Sequence, residues 1–137
     1  MKYETFYGEE DVMFYIDEEA SDLSLSLICF DEGYPEPYCD VTLRIPGAPA
    51  CRPDEAYVKD YSENEGLGRW LEENEIAVRT GIRVRSGYVT IDQYKFDLDK
   101  VKENSWSPEK QKKKTSLWLE KMKEEDQKDQ DQFKGRG

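Results

Sequence analysis

Apolar side chains recur at every second position through the first third of the chain. Tyr3, Thr5 and Tyr7 form one such run, and Val12, Phe14 and Ile16 a second. Leu23, Leu25 and Leu27 then alternate with Asp22, Ser24 and Ser26, and Cys39, Val41, Leu43 and Ile45 follow. A repeat of two belongs to strands with one face on a core and the other in water. The pattern predicts four strands near 3–7, 12–16, 22–30 and 38–45. The intervening pieces GEED, DEEASD and DEGYPEP carry turn signals and would join them as an antiparallel meander.

The pattern changes after Ile45. Residues 46–55, PGAPACRPDE, hold three prolines and read as a loop, followed by a short strand at Ala56-Tyr57-Val58. Leu67, Trp70 and Leu71 have helical spacing within a packed helix near 62–74. Ser62 with Glu65 fits a capping box for it, and Asn74 a left-handed stop. Ile76 to Leu98 returns to strand character, with turn pairs at Thr80-Gly81 and Ser86-Gly87, and with Arg83 and Arg85 on one face able to pair with acids across the sheet. Ser107-Pro108-Glu109 starts a second helix, and beyond Glu124 the Asp/Gln/Lys-rich sequence predicts fraying. The fold class expected is α+β: mainly antiparallel sheet in a single domain over 1–104, with a charged helical tail over 105–137.

Composition narrows the chemistry. The chain has 137 residues, 31 acids against 20 bases, a net charge of −11 and no histidine. A His-based triad, a His-ligated metal and an imidazole base are therefore excluded. No stretch is long and apolar enough to span a membrane, and the first residues lack the basic and apolar regions of a signal peptide. A cytoplasmic location with free thiols is the expectation. Cys29, Cys39 and Cys51 make no CxxC and cannot complete a zinc site. Cys29 and Cys39 read as core residues on neighbouring strands, and Cys51, in the proline-rich loop, as the most exposed thiol. No phosphate-binding glycine loop or EF-hand loop is present. Neither cofactor nor metal is expected, and the chain does not read as an enzyme.

Charge is unevenly spread. Residues 1–40 hold twelve acids and one base, Lys2, which equals the net charge of the whole chain. In a meander, alternate turns share one end of the sheet. Glu9, Glu10 and Asp11 would then meet Asp31, Glu32 and Glu36 at one end, and Asp17, Glu18, Glu19 and Asp22 would form a second cluster at the other. These acids are either ordinary solvated turns or an array that fits a cationic groove. Tyr34 and Tyr38 flank the first cluster, as interface anchors or as cover for the sheet edge. Lys110, Lys112, Lys113 and Lys114 could touch nucleic acid or fold back onto the acidic segment, and Coulomb attraction favours the latter. Trp118 and Met122 could dock the tail helix on the body or on a partner.

Several segments together resemble a known family. EGYPEPYCDVTL (32–43), AYVKDYSEN (56–64), WLEENEIAVRTG (70–81) and SGYVTIDQYKFDL (86–98) follow, in order, the pattern of small proteins of unknown function encoded on bacterial conjugative and related mobile elements. The resemblance covers about residues 22–100. The chain departs from it by inserting Tyr34-Pro35 in the turn, by its acidic first 20 residues and by its tail. The resemblance implies no catalytic residues. It implies a setting in which genes blunt host restriction and CRISPR defences, where acidic proteins that look like nucleic acid are a recurrent solution. The first expectation is thus a non-enzymatic anti-defence inhibitor (anti-CRISPR or antirestriction) that binds a basic nucleic-acid-handling protein such as a CRISPR nuclease, without binding nucleic acid itself. The alternative is a conjugation-related module that binds another protein through its C-terminal helix.

Overall fold

Tyr3, Val12, Phe14, Leu25 and Leu27, from the alternating runs, lie in one buried core with Val41, Val58, Leu67, Leu71, Ile76, Phe96 and Val101. Burying a side chain as large as Phe14 or Leu27 stabilises by about 1.5–3 kcal/mol, so these positions fix which face of each strand turns inward. A computed structural model describes the backbone of residues 1–5 and 8–134, and side chains over 1–4 and 8–125. Its strands are β1 (Lys2–Thr5), β2 (Gly8–Asp11), β3 (Met13–Ile16), β4 (Leu25–Asp31), β5 (Tyr34–Asp40), β6 (Thr42–Leu43), β7 (Glu55–Val58), β8 (Ala77–Ser86) and β9 (Val89–Phe96). Its helices are α1 (Leu67–Glu73), α2 (Leu98–Glu103) and α3 (Pro108–Lys134). All strand pairs are antiparallel, in sheets ordered β1-β2, β3-β4-β5 and β6-β7-β9-β8. The fold is α+β with a C-terminal helix.

The predicted four-strand meander is corrected in two places. GEED is not a turn: it is strand β2, which folds back on β1 with Lys2 opposite Asp11 and Glu4 opposite Glu9. Acids are poor strand formers. Here the next residue, Val12, is fully buried in the core, and its amide donates to the Met1 carbonyl, which extends the β1–β2 pairing by one step. Phe6 and Tyr7, between the two strands, lie outside the described residues. The second correction concerns DEGYPEP. Only Glu32 and Gly33 form the turn, with φ of 51° and 82°, the left-handed pair that a two-residue hairpin requires. Tyr34 to Asp40 are strand β5, and the predicted 38–45 strand divides at Val41 between two sheets.

Register explains how two prolines sit in that strand. Asp31 faces Tyr34 across the turn, Phe30 faces Pro35, Cys29 faces Glu36 and Ile28 faces Pro37. In a two-residue hairpin the flanking pair exchanges hydrogen bonds and the next pair does not. Pro35 and Pro37 therefore take the positions whose missing N–H would point away from β4, on the free edge of the sheet. A bulge after Leu27 then restores the inward direction of Cys39.

The predicted helix at 62–74 is also shorter than expected. Ser62–Asn64 is a single 3-10 turn and α1 begins after Gly66, whose φ of 97° breaks the helical run. The capping box is absent; Asp60 Oδ1 instead accepts the Gly66 amide at 2.7 Å. The left-handed residue at the far end is Glu75, not Asn74. Trp70 Nε1 donates to the Lys2 carbonyl at 2.8 Å and its ring meets Tyr3 edge-on, so α1 closes over β1. Thr80-Gly81 is a bulge inside β8 rather than a turn, whereas Ser86 and Val89 do flank a two-residue loop. Arg83 pairs with Asp92 across the sheet at 2.8 Å, and Arg85 faces Thr90. Helix α2 has no counterpart in the sequence reading. Asp97 caps it by accepting from the Asp99 and Lys100 amides.

The C-terminal helix leaves from a segment woven into the body. The Phe14 amide donates to the Asn104 carbonyl, the Trp106 amide donates to the Phe14 carbonyl, and Ser105 is buried beside β3. From there α3 crosses the β4–β5 turn. Gln111 Nε2 and Thr115 Oγ1 both donate to the Gly33 carbonyl, at 2.8 and 3.3 Å. A Cβ on Gly33 would stand 2.9 Å from the Cβ of Trp118, whereas one on Gly47, with nearly the same φ of 81°, would meet nothing within 4 Å. Gly33→Ala and Gly47→Ala thus share a backbone cost of about 1 kcal/mol, and only the first also displaces the helix. Urea unfolding should show Gly33→Ala losing about 1–3 kcal/mol more than Gly47→Ala. Equal losses would mean that the helix does not press on the turn.

Candidate functional site

The hairpins bring the first acidic cluster to one end of the molecule. Asp31 ends β4, Glu32 occupies the turn, and Glu36 lies in β5 opposite Cys29. β2 passes beside them: the Cys29 thiol feels the charges of Glu36, Glu10 and Asp31 together. Lys114 links the two parts, since its ammonium bonds the Asp11 carboxylate and lies 5.0 Å from the centre of the Phe30 ring. Asp11 also takes the Met1 amino group at 3.2 Å. Burial raises the Asp11 carboxyl, but hydrogen bonds from Lys114 and the amino group, with their charges, outweigh it and hold it below the usual range. Among the described residues no cation pairs with Glu9, Glu10, Asp31, Glu32 or Glu36. One of the six predicted acids is therefore matched within the chain and five face outward.

The second cluster lies in the β3–β4 connection, at the opposite end of that sheet. Asp17 Oδ1 accepts the Glu19 amide at 3.1 Å, which shapes the turn. Asp22 pairs with Arg44 at 3.1 Å, and the hydrogen bond from that guanidinium holds its carboxyl down. Glu18 and Glu19 border a cleft with Trp106 and Pro108.

Between the two ends runs an outer sheet face that is unusually apolar. Strand register builds it in rows: Tyr15, Ser26 and Asp40 in one, Met13, Ile28 and Pro37 in the next, Phe30 and Pro35 in the third. Helix α3 covers the third row, through Lys114 on Phe30 and through contact of Gln111 and Thr115 with the turn. The other rows stay open as a groove of about 670 Å³ between Trp106 on one side and Tyr38, Lys59 and Glu63 on the other. Tyr15 leans on Trp106 with ring centres 6.2 Å apart and is 47% exposed. The Trp106 indole N–H is taken by Gln111 Oε1 at 3.0 Å. At the rim, Ser26 donates to Asp40 Oδ1 at 3.3 Å, and Lys59 pairs with Glu63 at 3.0 Å. A hydrogen bond from its own backbone amide, then those from Lys59 and Ser62, hold the Glu63 carboxyl down at about 2.

The predicted aromatics divide. Tyr34 is 57% exposed beside Pro35 and α3. Tyr38 is 39% exposed and meets Tyr3 edge-on, so it both lines the groove and closes the core. Trp118 is half-buried against Gly33 and docks the helix on the body. Tyr15, Asp40 and Trp106 were not singled out from sequence. Tyr15 stands on the polar phase of its strand, which marks an exposed aromatic, but its row with Asp40 exists only once the register is known.

The three thiols are half-buried. Burial pushes Cys39 up to about 11, and burial raises Cys29 and Cys51 as well, with the surrounding carboxylates adding to Cys29. Cys51 is half-buried like the other two, and Gln93 Nε2 donates to its Sγ at 3.4 Å. Among the described residues no group of three or more Cys, Asp and Glu side chains is arranged to hold a metal ion, and no helix is long and apolar enough to cross a membrane.

Two measurements follow from these charges. The lowered Asp11 pKa contributes stability above the ordinary carboxylate range, and that contribution fades as pH falls through the folded value. Asp11→Asn should cost about 0.5 kcal/mol at pH 7, a small effect for a partly exposed pair, and the difference should shrink steadily as pH falls below the ordinary carboxylate range. A deficit that does not change with pH on the acid side would assign the loss to something other than the ion pair. The raised thiols should react with iodoacetamide at pH 7.4 at least about tenfold more slowly than cysteine in the urea-unfolded chain, followed by mass spectrometry.

No curated protein and no solved structure matches the chain. A family profile does, over residues 11–112. That span holds the whole groove and Asp31, Glu32 and Glu36, and leaves Glu9, Glu10, Lys114 and Trp118 outside it. The profile is described as a domain of unknown function, DUF4313, and the chain belongs to that family.

Proposed function

We propose that this protein is a non-catalytic binder of a basic, nucleic-acid-handling surface on another protein, which its acidic end occupies in place of nucleic acid. The observation that carries the reading is the meeting of β2 with the β4–β5 turn, which leaves Glu9, Glu10, Asp31, Glu32 and Glu36 without a cation among the described residues. Carboxylates two apart along a strand stand about 7 Å from each other, and the neighbouring hairpin extends the array sideways. Such an array attracts a cationic channel over long range, with fast association and a steep salt dependence. The setting implied by the family resemblance makes host defence nucleases, CRISPR or restriction, the targets to try first, in the cytoplasm of a bacterium that carries a mobile element.

A second reading keeps the C-terminal helix as the contact surface. Leu117, Leu119 and Met122 are exposed on α3, while Trp118 is turned toward Gly33. In that case the acids serve solubility and a conjugation-related protein is the partner.

Charge reversal separates the two. Glu9 faces Glu4 across β1 and β2, so Glu9→Lys replaces a like-charge pair with an attractive one and does not weaken the fold. The triple variant Glu9→Lys, Glu10→Lys, Glu36→Lys should lose at least about tenfold in inhibition of a sensitive nuclease while its melting temperature stays within a few degrees. Inhibition by the wild type should fall as salt rises from 50 to 300 mM. If the triple variant inhibits as well as the wild type, or no restriction or CRISPR nuclease in a cleavage panel is inhibited, the mimicry reading is wrong. Loss of partner binding on Leu119→Glu with Met122→Glu alone would support the second.

A further inference from the structure

We propose that the open groove on the outer face of the β3-β4-β5 sheet binds an arginine-bearing extended segment of the partner protein. The inference rests on the reading above that the partner is cationic, and it adds a second, sequence-selective contact beside the acidic end.

The groove offers three things together. Its wall is aromatic: Tyr15 and Trp106 stand side by side, and the indole N–H is already used by Gln111, so what faces the groove is ring surface. Its floor is apolar, made by Ile28 and Pro37. Its polar groups are acceptors. Asp40 spends one carboxylate oxygen on Ser26 and keeps the other open, and Glu36 and Glu63 add negative charge against a single ammonium, Lys59, that is already paired.

The edge of β5 reinforces the same preference. Pro35 and Pro37 occupy its outward positions, so along this stretch the edge presents carbonyl oxygens and no N–H. A partner strand cannot zip onto such an edge by the usual reciprocal ladder. A side chain with many donors and no acceptor can use it. Arginine has that property, and it adds a planar face that stacks on Tyr and Trp and a fork that matches a carboxylate. Lysine lacks the plane and the fork, and an anionic ligand such as nucleic acid would face repulsion from Glu36 and Asp40, since Lys59 offsets only Glu63. Laid from the second row toward the first, an arginine places its stem over Ile28 and its head between the Tyr15 ring and the free oxygen of Asp40.

The probe is a nine-residue peptide with arginine at alternate positions, compared with its lysine and citrulline counterparts. Each is titrated into the full-length ¹⁵N-labelled protein at 150 mM salt. The arginine peptide should shift the Trp106 indole resonance and the amides of Tyr15, Ser26 and Asp40, and bind at least fivefold more tightly than the lysine peptide. Asp40→Asn and Tyr15→Leu, both at exposed positions, should each weaken it fivefold or more, while Glu9→Lys with Glu10→Lys should change it less than twofold. The proposal is overturned if the arginine peptide does not bind, if lysine or citrulline binds equally, or if the shifts centre on Glu9 and Glu10. The last result would leave the acidic-end reading standing. Loss of nuclease inhibition in Glu9→Lys with Glu10→Lys, with peptide binding intact, would keep the groove and place the two contacts on separate surfaces.

Discussion

The β4–β5 hairpin closes with two residues, and the rest of the functional surface follows from that closure. With Glu32 and Gly33 alone in the turn, Asp31 must face Tyr34, and the pairs as far as Ile28 and Pro37 are set. A one-residue slip would exchange the faces of the strand, and the prolines would point their missing donors at β4. The register also aims the Gly33 carbonyl outward, where Gln111 and Thr115 reach it. Glycine is required there twice over, by its left-handed backbone and by the approach of Trp118. The turn is at once the origin of the sheet edge, part of the acidic end and the seat of the C-terminal helix.

That helix moderates the charge it sits on. Lys114 neutralises the acid nearest the body, Asp11, and leaves the more distant ones alone. An ammonium over Phe30 also shields a ring that would otherwise be exposed. The result is a graded surface, matched close to the core and negative farther out. Such grading limits the self-repulsion of a chain with net charge −11 without erasing its external field.

Much of the fold was legible because burial leaves a period in the sequence. The alternation of Phe14, Leu25 and Leu27 located β3 and β4, and Leu67, Trp70 and Leu71 located α1. What the sequence hid were features set by partners distant along the chain. GEED reads as a turn by composition and is a strand because Val12 and Tyr3 are buried on either side of it. DEGYPEP reads as a turn because proline usually is one, yet an edge strand tolerates proline wherever no ladder bond is owed. Read as turns of one meander, the two acidic segments put Glu10 near Asp31 and Glu36, whereas Glu10 reaches the Cys29 surroundings as part of a strand in a separate hairpin. The groove was not, because Tyr15, Asp40 and Trp106 come from three separate segments and carry no shared motif.

The backbone link between Phe14 and residues 104–106 has a consequence for biogenesis. The outer strand β3 of the β3-β4-β5 sheet completes its hydrogen bonding only with residues 104–106, far along the chain from it. Such a distant contact raises contact order and delays closure. As the chain emerges from the ribosome, β3 keeps one edge bare until residues 104–106 follow it out, and an unpaired edge among crowded acids is a poor template for a second copy.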